Sequence, residues 1–215
     1  IRDSSVTGVQ TCALPIWARV ERAVNDISLS IQPGEILGIA GVEGNGQTEL
    51  LDALSGLRPA TSGVMTLGGR DITTLGVRDR GDAGLSHIPE DRHRRGLILD
   101  YSIAENLILG QQHHFTQGAA LDAAAVLAHA QAKITEFDIR PADPTLAARA
   151  LSGGNQQKIV IARELSRPFT ALLAAQPTRG VDVGAIEFIH GEIRKARDAG
   201  KGVLLVSAEL QIGRA

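Results

Sequence analysis

The sequence predicts an α/β fold in which a mostly parallel β-sheet is covered by helices on both faces. Apolar runs of strand length occur at residues 35–40, 169–175 and 203–207. Strands of a parallel sheet are buried on both faces and therefore have this continuous apolar pattern. Helical stretches separate the runs, and a glycine-rich turn follows the first of them, as in proteins with alternating strands and helices.

The composition is that of one ordinary domain with room for an inserted subdomain. The chain has 215 residues, 43% hydrophobic and 21% charged, which is enough apolar material for a core. A net charge of −2 and an aromatic content of 3% argue against nucleic acid as a partner. The single cysteine excludes a disulfide framework and a thiolate metal cluster.

Local patterns in the first half of the chain predict an antiparallel β subdomain beside the parallel sheet. Residues 24–31 alternate roughly between apolar and polar side chains, which is typical of a strand. Residues 63–67, followed by Gly68 and Gly69, resemble a hairpin with its turn.

The middle of the chain is predicted to be a helical insertion. Ser102 and Glu105 form a capping-box pattern at the start of one helix. A second, alanine-rich helix is predicted over residues 122–137, with Asp122 as its N-cap. We therefore divide the chain into a core that contains the glycine-rich turn over 17–97, a helical subdomain over 98–150, and a further helix with the remaining core strands over 151–210.

Both ends of the chain are expected to be foreign to the fold. Residues 9–16 read VQTCALPI, which is the translation of a common sequencing adapter. The codons GCT-CTT-CCG-ATC encode Ala-Leu-Pro-Ile, and their reverse complement, read one base later, encodes the final Ile-Gly-Arg-Ala. We expect residues 1–16 and 211–215 to be assembly artefact and exclude them from fold reasoning. Continuous genomic coverage of these ends in the raw reads would contradict this expectation.

A strand, a glycine-rich loop and a helix follow one another over residues 35–54, and the loop fits the pattern G-x-x-x-x-G-x-T. The backbone N–H groups of such a loop and the positive end of the helix bind phosphate oxygens. Thr48 stands where a hydroxyl helps to hold Mg²⁺, whereas the usual phosphate-binding lysine is replaced by the uncharged Gln47. The predicted nucleotide-binding residues are Gly41, Gly44, Asn45, Gly46, Gln47, Thr48 and Glu49.

A second motif begins another helix at residues 151–158, which read LSGGNQQK. Its serine and the N–H groups of its glycines can bind an anion at the helix N-terminus. The run resembles the signature motif of ABC ATPases, in which this anion is the γ-phosphate of ATP held by the opposite domain. The predicted signature residues are Leu151, Ser152, Gly153, Gly154, Asn155 and Gln156.

Three further stretches extend the resemblance, namely GIAGVEGNGQ at 38–47, HIPEDR at 87–92 and QPTRGVD at 176–182. Over residues 18–210 the chain resembles the second ATP-binding domain of a fused two-domain ATPase from a bacterial nucleoside or simple-sugar ABC importer. The glutamine in the loop and the IPEDR run favour the nucleoside branch.

The resemblance implies a P-loop ABC fold with ATP and Mg²⁺ as cofactors. It implies three partners: an N-terminal ATP-binding domain of the same polypeptide, transmembrane permease subunits and, indirectly, an extracytoplasmic solute-binding protein. It also implies a peripheral location on the cytoplasmic face of the bacterial plasma membrane.

Several catalytic groups of the family are missing here. In the family an apolar strand ends in an aspartate for Mg²⁺ and a glutamate that orients water, and these places hold Ala175 and Gln176. The place of the γ-phosphate-sensing histidine holds Ala208. Glu90 corresponds to the glutamine that contacts Mg²⁺ and the transporter, and Asp182, in the loop that contacts the other domain, is retained. We take Glu90 and Asp182 as the coupling residues.

These replacements predict a site that binds nucleotide but hardly hydrolyses it, because a positioned general base alone contributes about 10²–10⁴ in rate. The hypothesis is a division of labour in which Ser152, Gly153 and Gly154 serve the partner domain's competent site. Three alternatives stay open: a soluble ABC protein acting on ribosomes or in DNA repair, a purely regulatory nucleotide-binding module, and decay in a pseudogene. The basic run at residues 92–95 is predicted to be a solvated turn.

Overall fold

The computed structural model describes residues 9–12, 16–18, 21–41, 44–118 and 120–208. The chain divides into two compact units, each assembled from separate parts of the sequence. The first comprises Ile1–His87, Pro168–Gln176 and Gly191–Ala215, and the second comprises Ile88–Arg167 and Pro177–His190. The three-part division from the sequence stays a prediction.

The strands, in chain order, are β1 (Val9–Cys12), β2 (Ile16–Ala18), β3 (Glu21–Val24), β4 (Leu29–Ile31), β5 (Ile36–Ala40), β6 (Val64–Leu67), β7 (Arg70–Asp71), β8 (Leu85–Ile88), β9 (Thr116–Gln117), β10 (Ala120–Leu121), β11 (Ala171–Ala175) and β12 (Gly202–Ser207). The α-helices are α1 (Gln47–Ser55), α2 (Val77–Asp82), α3 (Ile103–Leu107), α4 (Ala123–Glu136), α5 (Gly153–Ser166) and α6 (Val183–Asp198). Arg92–Gly96 forms a π-helical turn, and Gln112–Phe115 and Ala148–Ala150 form 3₁₀ helices.

The central sheet has the strand order β5-β12-β11-β8, and β12 pairs in parallel with both β5 and β11. Every residue of β11 and β12 is buried, which confirms the prediction from their apolar runs. β5 is only partly buried because it is an edge strand, a difference that an apolar run alone does not reveal. The predicted α/β class with a parallel core is thus confirmed.

The second sheet has the order β4-β1-β6-β7 with antiparallel pairing, as the sequence predicted for this subdomain. The hairpin β6–β7 turns at Gly68 and Gly69 as expected. The strand predicted over 24–31 is wrong in its extent, because the chain turns between β3 and β4, where Asp26 has a φ of 53°. Backbone pairing places Val9–Cys12 in this sheet, while residues 211–215 lie outside the described residues, and the adapter origin of the ends stays a prediction.

The core of the first unit anchors the helix that follows the phosphate loop. Leu50, Leu51 and Leu54 of α1 are at most 3% exposed and belong to one cluster with Leu173 of β11 and Val206 of β12. Burying each such leucine contributes about 1.5–3 kcal/mol. The loop is therefore followed by a firmly packed helix, which favours a preformed ligand site.

Arg80 of α2 is a buried cation that neutral carbonyl groups surround. The side chain is 2% exposed. Its Nε donates to Leu75 O at 2.8 Å, and its Nη2 donates to Thr73 O at 2.8 Å. Its Nη1 donates to the carbonyls of Ala53 and Leu54 at 2.5 and 2.8 Å, which lie in the last turn of α1. Arg80 thus caps the C-terminal, negative end of the helix whose N-terminus forms the phosphate loop.

In the second unit, the short helix α3 packs against α4 and α5. Its predicted capping box is confirmed: Ser102 Oγ accepts from Glu105 N at 3.2 Å, and Glu105 Oε2 accepts from Ser102 N at 2.7 Å. The Ser102 hydroxyl also donates to this carboxylate and holds the pKa of Glu105 below its usual value. The N-cap predicted for α4 is confirmed as well, since Asp122 Oδ1 accepts from Ala125 N.

We expect Ser102→Ala to lower the free energy of unfolding by about 1 kcal/mol, as the loss of an N-cap usually does. Because the folded-state pKa of Glu105 is lowered, its contribution is present above the unfolded-state pKa and disappears as the pH falls through the folded-state pKa. The difference from wild type should therefore shrink from pH 7 to pH 3 in denaturant titrations. Ser62→Ala, in an exposed loop, is the control, and an equal loss in both variants would contradict the capping role.

Candidate nucleotide and signature sites

The phosphate loop leaves β5 at Gly41 and enters α1 at Gln47. Gly44 and Gly46 have φ values of 91° and 92°, in the left-handed region that glycine adopts without strain. Gly46 is the N-cap of α1, and no side chain caps the helix there. The first turn therefore offers backbone donors and the positive end of the helix to an anion. Val42 and Glu43 lie outside the described residues.

The side chain of Gln47 lies back over this loop. A Cβ on Gly41 would collide with Nε2 of Gln47, so the end of this side chain would have to move to admit a larger residue. A Cβ on Gly44 would meet no heavy atom of the described residues within 4 Å. The side chain that lies over the described part of the loop is therefore a neutral amide, and ATP binding at this loop stays a prediction. Asn45 and Thr48 are exposed, and Glu49 is partly buried in the first turn of α1.

Gln176 and Ala208, two of the residues predicted to replace catalytic groups, contact one another at the carboxyl end of the central sheet. Gln176 directly follows β11 with a φ of 43°, and its N–H donates to Val206 O at 2.8 Å. Its side-chain Oε1 accepts a hydrogen bond from Ala208 N at 3.1 Å. Ala175, the last residue of β11, is 2% exposed and carries no polar group. The side-chain amide oxygen of Gln176 thus already accepts a hydrogen bond from the backbone N–H of Ala208.

This strand end does not fit a magnesium ion held by the protein. Mg²⁺ prefers carboxylate oxygens together with substrate phosphates. The strand ends in the apolar Ala175, where the family resemblance predicts a metal carboxylate, and the neighbouring amide oxygen of Gln176 already accepts from Ala208 N. A magnesium ion here would depend on the phosphates of the nucleotide and on the hydroxyl of Thr48.

The signature residues surround the N-terminus of α5. Ser152 is the N-cap, and its Oγ accepts from Asn155 N at 3.4 Å and from Asn155 Nδ2 at 3.1 Å. Asn155 is held in turn, because its Oδ1 accepts from Arg140 N at 2.8 Å. A hydroxyl has two acceptor lone pairs and one proton. Since Asn155 uses the acceptor side of Ser152, the proton of the hydroxyl can be donated to an anion.

The two signature glycines allow a close approach of the neighbouring loop. A Cβ on Gly154 would lie 2.7 Å from Asp182 Oδ2 and 3.2 Å from the Cβ of Ala185. Asp182 Oδ1 accepts from Ala185 N at 2.9 Å, which fixes the carboxylate at the start of α6. The predicted coupling residue Asp182 thus packs directly against the signature motif.

Gln156 and Leu151 are the buried residues that attach the signature motif to the second unit. Leu151 and Gln156 are each 6% exposed. The amide Nε2 of Gln156 donates to the carbonyls of Ala148 and Leu151 at 3.1 and 3.2 Å. Its Oε1 lies 2.7 Å from His93 Nε2. Because an amide oxygen can only accept, this contact requires the histidine to donate from Nε2.

The segment that contains Glu90 differs from the solvated turn that the sequence predicted. Asp91 caps the π-helical turn through N–H groups of Arg94 and His93, which hold the pKa of Asp91 below its usual value. Arg94 and Arg95 are exposed as predicted, but the prediction is wrong for Arg92. Arg92 is partly buried and donates to backbone carbonyls far along the chain. The run of basic residues contained no signal that could distinguish Arg92 from its neighbours.

A phosphate loop between a strand and a helix, a sheet of this order and a capped LSGG helix together define an ATP-binding cassette. The chain belongs to the ABC transporter family, whose model matches residues 24–179. No described helix is long and apolar enough to cross a membrane.

Several curated relatives at 40–51% identity are named import ATP-binding proteins. The chain is 51% identical over 190 residues to the guanosine import ATP-binding protein NupO of Bacillus subtilis, covering 87% of this chain and 37% of that protein. It is 46% identical to the nucleoside import ATP-binding protein NupA of Lactococcus lactis, covering 87% and 37%. It is 40% identical to the ribose import ATP-binding protein RbsA 1 of Burkholderia ambifaria, covering 87% and 36%. The chain thus spans little more than a third of the length of these relatives.

Solved structures show the same fold. The TM-score is 0.78 to an ABC transporter ATP-binding cassette in its ADP conformation, at 18% identity, covering 95% of this chain and 82% of that one. It is 0.79 to a dimeric bacterial ABC transporter cassette, at 22% identity, covering 96% and 90%.

Proposed function

We propose that the chain is the second ATP-binding domain of a two-domain ATPase that drives import of nucleosides or simple sugars. The similarity to importers of guanosine, nucleosides and ribose supports this substrate class. The span of little more than a third of those proteins supports a further ATP-binding domain in the same polypeptide. In this proposal the ATPase lies on the cytoplasmic face of the membrane, bound to permease subunits that receive solute from an extracytoplasmic binding protein.

In this proposal the domain's own site holds ATP but does not turn it over. The observation that carries the proposal is the neutral strand end, where Ala175 and Gln176 replace two carboxylates and the Gln176 oxygen accepts from Ala208 N. A neutral amide cannot take a proton from the attacking water, and Gln47 brings no charge to the γ-phosphate. Phosphoryl transfer depends on positioning and charge neutralisation at this phosphate. Without these groups, the site is expected to keep ATP bound and not to hydrolyse it.

The signature motif then serves the partner domain. Ser152 has its acceptor side occupied by Asn155, and its proton can be donated to the γ-phosphate of ATP on the other domain. The N–H groups of Gly153 and Gly154 at the positive end of α5 add to this anion site. In this division of labour, one domain retains ATP at its own phosphate loop and donates hydrogen bonds from its signature motif to the ATP of the partner domain.

The test uses the full-length protein with the catalytic base of its N-terminal domain replaced by glutamine. We expect ATP turnover to fall to background, because this chain's site lacks the hydrolytic groups. In that background, Gln47→Lys, Ala175→Asp and Gln176→Glu together should raise turnover about 10²-fold or more, since they return the cation, the metal carboxylate and the base. Turnover is measured as phosphate release.

The control variant carries Gln47→Lys and Gln176→Glu without the substitution at the buried position 175. It separates the return of chemistry from any misfolding that a buried carboxylate causes. Turnover well above background in the protein with the unmodified second site would contradict the proposal.

A further inference from the structure

Two arginines connect the segment containing Glu90 to the loop that precedes Asp182. Arg179 Nη1 lies 2.6 Å from Glu90 Oε1. In the opposite direction, Arg92 Nη1 donates to Arg179 O at 2.9 Å, and Arg92 Nη2 donates to Gly180 O at 3.2 Å. Each segment thus contributes one guanidinium to the other. We call Glu90, Arg92, Arg179 and Gly180 the arginine clamp.

The clamp lies directly against the signature motif. A Cβ on Gly153 would lie 2.9 Å from Arg92 Nη2 and 3.1 Å from Gly180 O. The guanidinium of Arg92 and the carbonyl of Gly180 therefore occupy the space beside the first signature glycine. Any displacement of this guanidinium changes the surface on which the N-terminus of α5 rests, one residue from Ser152.

The contacts of Arg92 require the shape of its guanidinium and not only its charge. Its two Nη atoms donate to the carbonyls of two consecutive residues, Arg179 and Gly180, which a planar fork can span. Lysine has a single nitrogen and cannot reproduce this paired contact. The Arg92 Nε is buried and meets no acceptor in the described part of the chain, so the group is held by its two Nη contacts.

We propose that Arg92 is a positioning residue for the signature motif. In this proposal the arginine clamp fixes the position of the motif relative to the segment that contains Glu90. The inference rests on the proposed function, because it assigns the clamp to the presentation of Ser152 to the partner's ATP. Arg92 does not contact the nucleotide. It acts through Gly153 and Gly180, so its loss misplaces the donors of the signature motif. ATP binding at the phosphate loop of this domain and at that of the partner domain stays intact.

The test compares Arg92→Lys with Arg94→Gln in the full-length protein. Arg94 is an exposed arginine of the same π-helical turn, and its substitution removes one positive charge without touching the clamp. We expect Arg92→Lys to lower kcat for ATP hydrolysis about 10- to 100-fold, the usual cost of small misplacements in an active site. ATP affinity measured without turnover and the unfolding temperature should stay at wild-type values, and Arg94→Gln should keep the wild-type kcat.

A second variant, Arg179→Gln, removes only the ion pair to Glu90. These side chains are 54% and 25% exposed, so folding survives its loss, and we expect kcat to fall about threefold. A kcat within twofold of wild type in Arg92→Lys, or an equal loss in Arg94→Gln, overturns the inference. Ser152→Asp, measured alongside, separates the two proposals. If Ser152→Asp abolishes turnover and Arg92→Lys does not, only the clamp is wrong. If Ser152→Asp turns over normally, the proposed function itself is wrong.

Discussion

Replacing Ser152 by aspartate in the full-length protein should abolish ATP turnover while leaving the domain folded. Aspartate is as good an N-cap as serine, so α5 keeps its capping interaction and the free energy of unfolding stays close to the wild-type value. In the proposed division of labour, however, the new carboxylate takes the place of the Ser152 hydroxyl donor and repels the γ-phosphate of the partner's ATP.

The expected size of the loss is about 10²-fold or more in kcat, as for removal of a single preorganised donor to developing charge. The contacts with Asn155 support this, because they orient the serine with its proton outward. Phosphate release and thermal unfolding are measured on the same preparation.

Ser166→Ala is the matched control for this prediction. Ser166 lies at the other end of α5, and its buried Oγ makes no hydrogen bond to the described residues. Removing that hydroxyl should leave turnover unchanged. A folded Ser152→Asp protein with the wild-type turnover rate would show that the signature motif has no part in hydrolysis, and would favour a purely regulatory domain.

Arg80→Met should produce the largest loss of stability among these predictions, about 3–5 kcal/mol. Burial lowers the pKa of Arg80, yet a guanidinium stays charged in proteins, so its carbonyl partners are satisfied by a cation. Methionine fills much of the volume but removes the guanidinium donor from the carbonyls of Leu54, Leu75 and Thr73, and leaves Ala53 O with the N–H of Gly56 alone. Each orphaned buried carbonyl costs about 1–3 kcal/mol.

The loss is measured as the unfolding transition of this domain within the full-length protein, which should move down by about 10 °C. Arg78→Met in the same helix is the control, because Arg78 is exposed and its loss should change stability by no more than about 0.5 kcal/mol. Arg80→Lys should recover only part of the stability, since one ammonium cannot reach all four carbonyls. Equal unfolding temperatures for Arg80→Met and Arg78→Met would contradict the structural role of Arg80.

The phosphate loop could be predicted because its chemistry is local. The glycines at 44 and 46 permit the positive φ angles of the loop, and the apolar runs on either side specify a strand and a helix. The same holds for Ser152, Asp122 and Ser102, whose capping contacts reach only three residues along the chain. Contacts of this range follow from the order of the residues and from backbone geometry.

The edge position of β5 and the turn at Asp26 could not be predicted, because apolar runs and alternation describe side chains and not their neighbours in space. The roles of Arg80 and Arg92 were hidden for the same reason. In the sequence each is one arginine among several, with nothing local to mark it. Arg80 reaches carbonyls up to 27 residues away, and Arg92 reaches carbonyls 87 and 88 residues away.

The sequence by itself determined the class of fold, the glycine-rich loop between a strand and a helix, the LSGG run that begins α5 and the uncharged side chains at positions 47, 175 and 176. These features depend on residue type and short spacing. Only the tertiary structure decided that Gln176 accepts from Ala208 N, that Asp182 packs on Gly154 and that Arg92 donates to the carbonyls of Arg179 and Gly180. Such contacts join distant parts of the chain, and folding alone brings their partners within hydrogen-bonding distance.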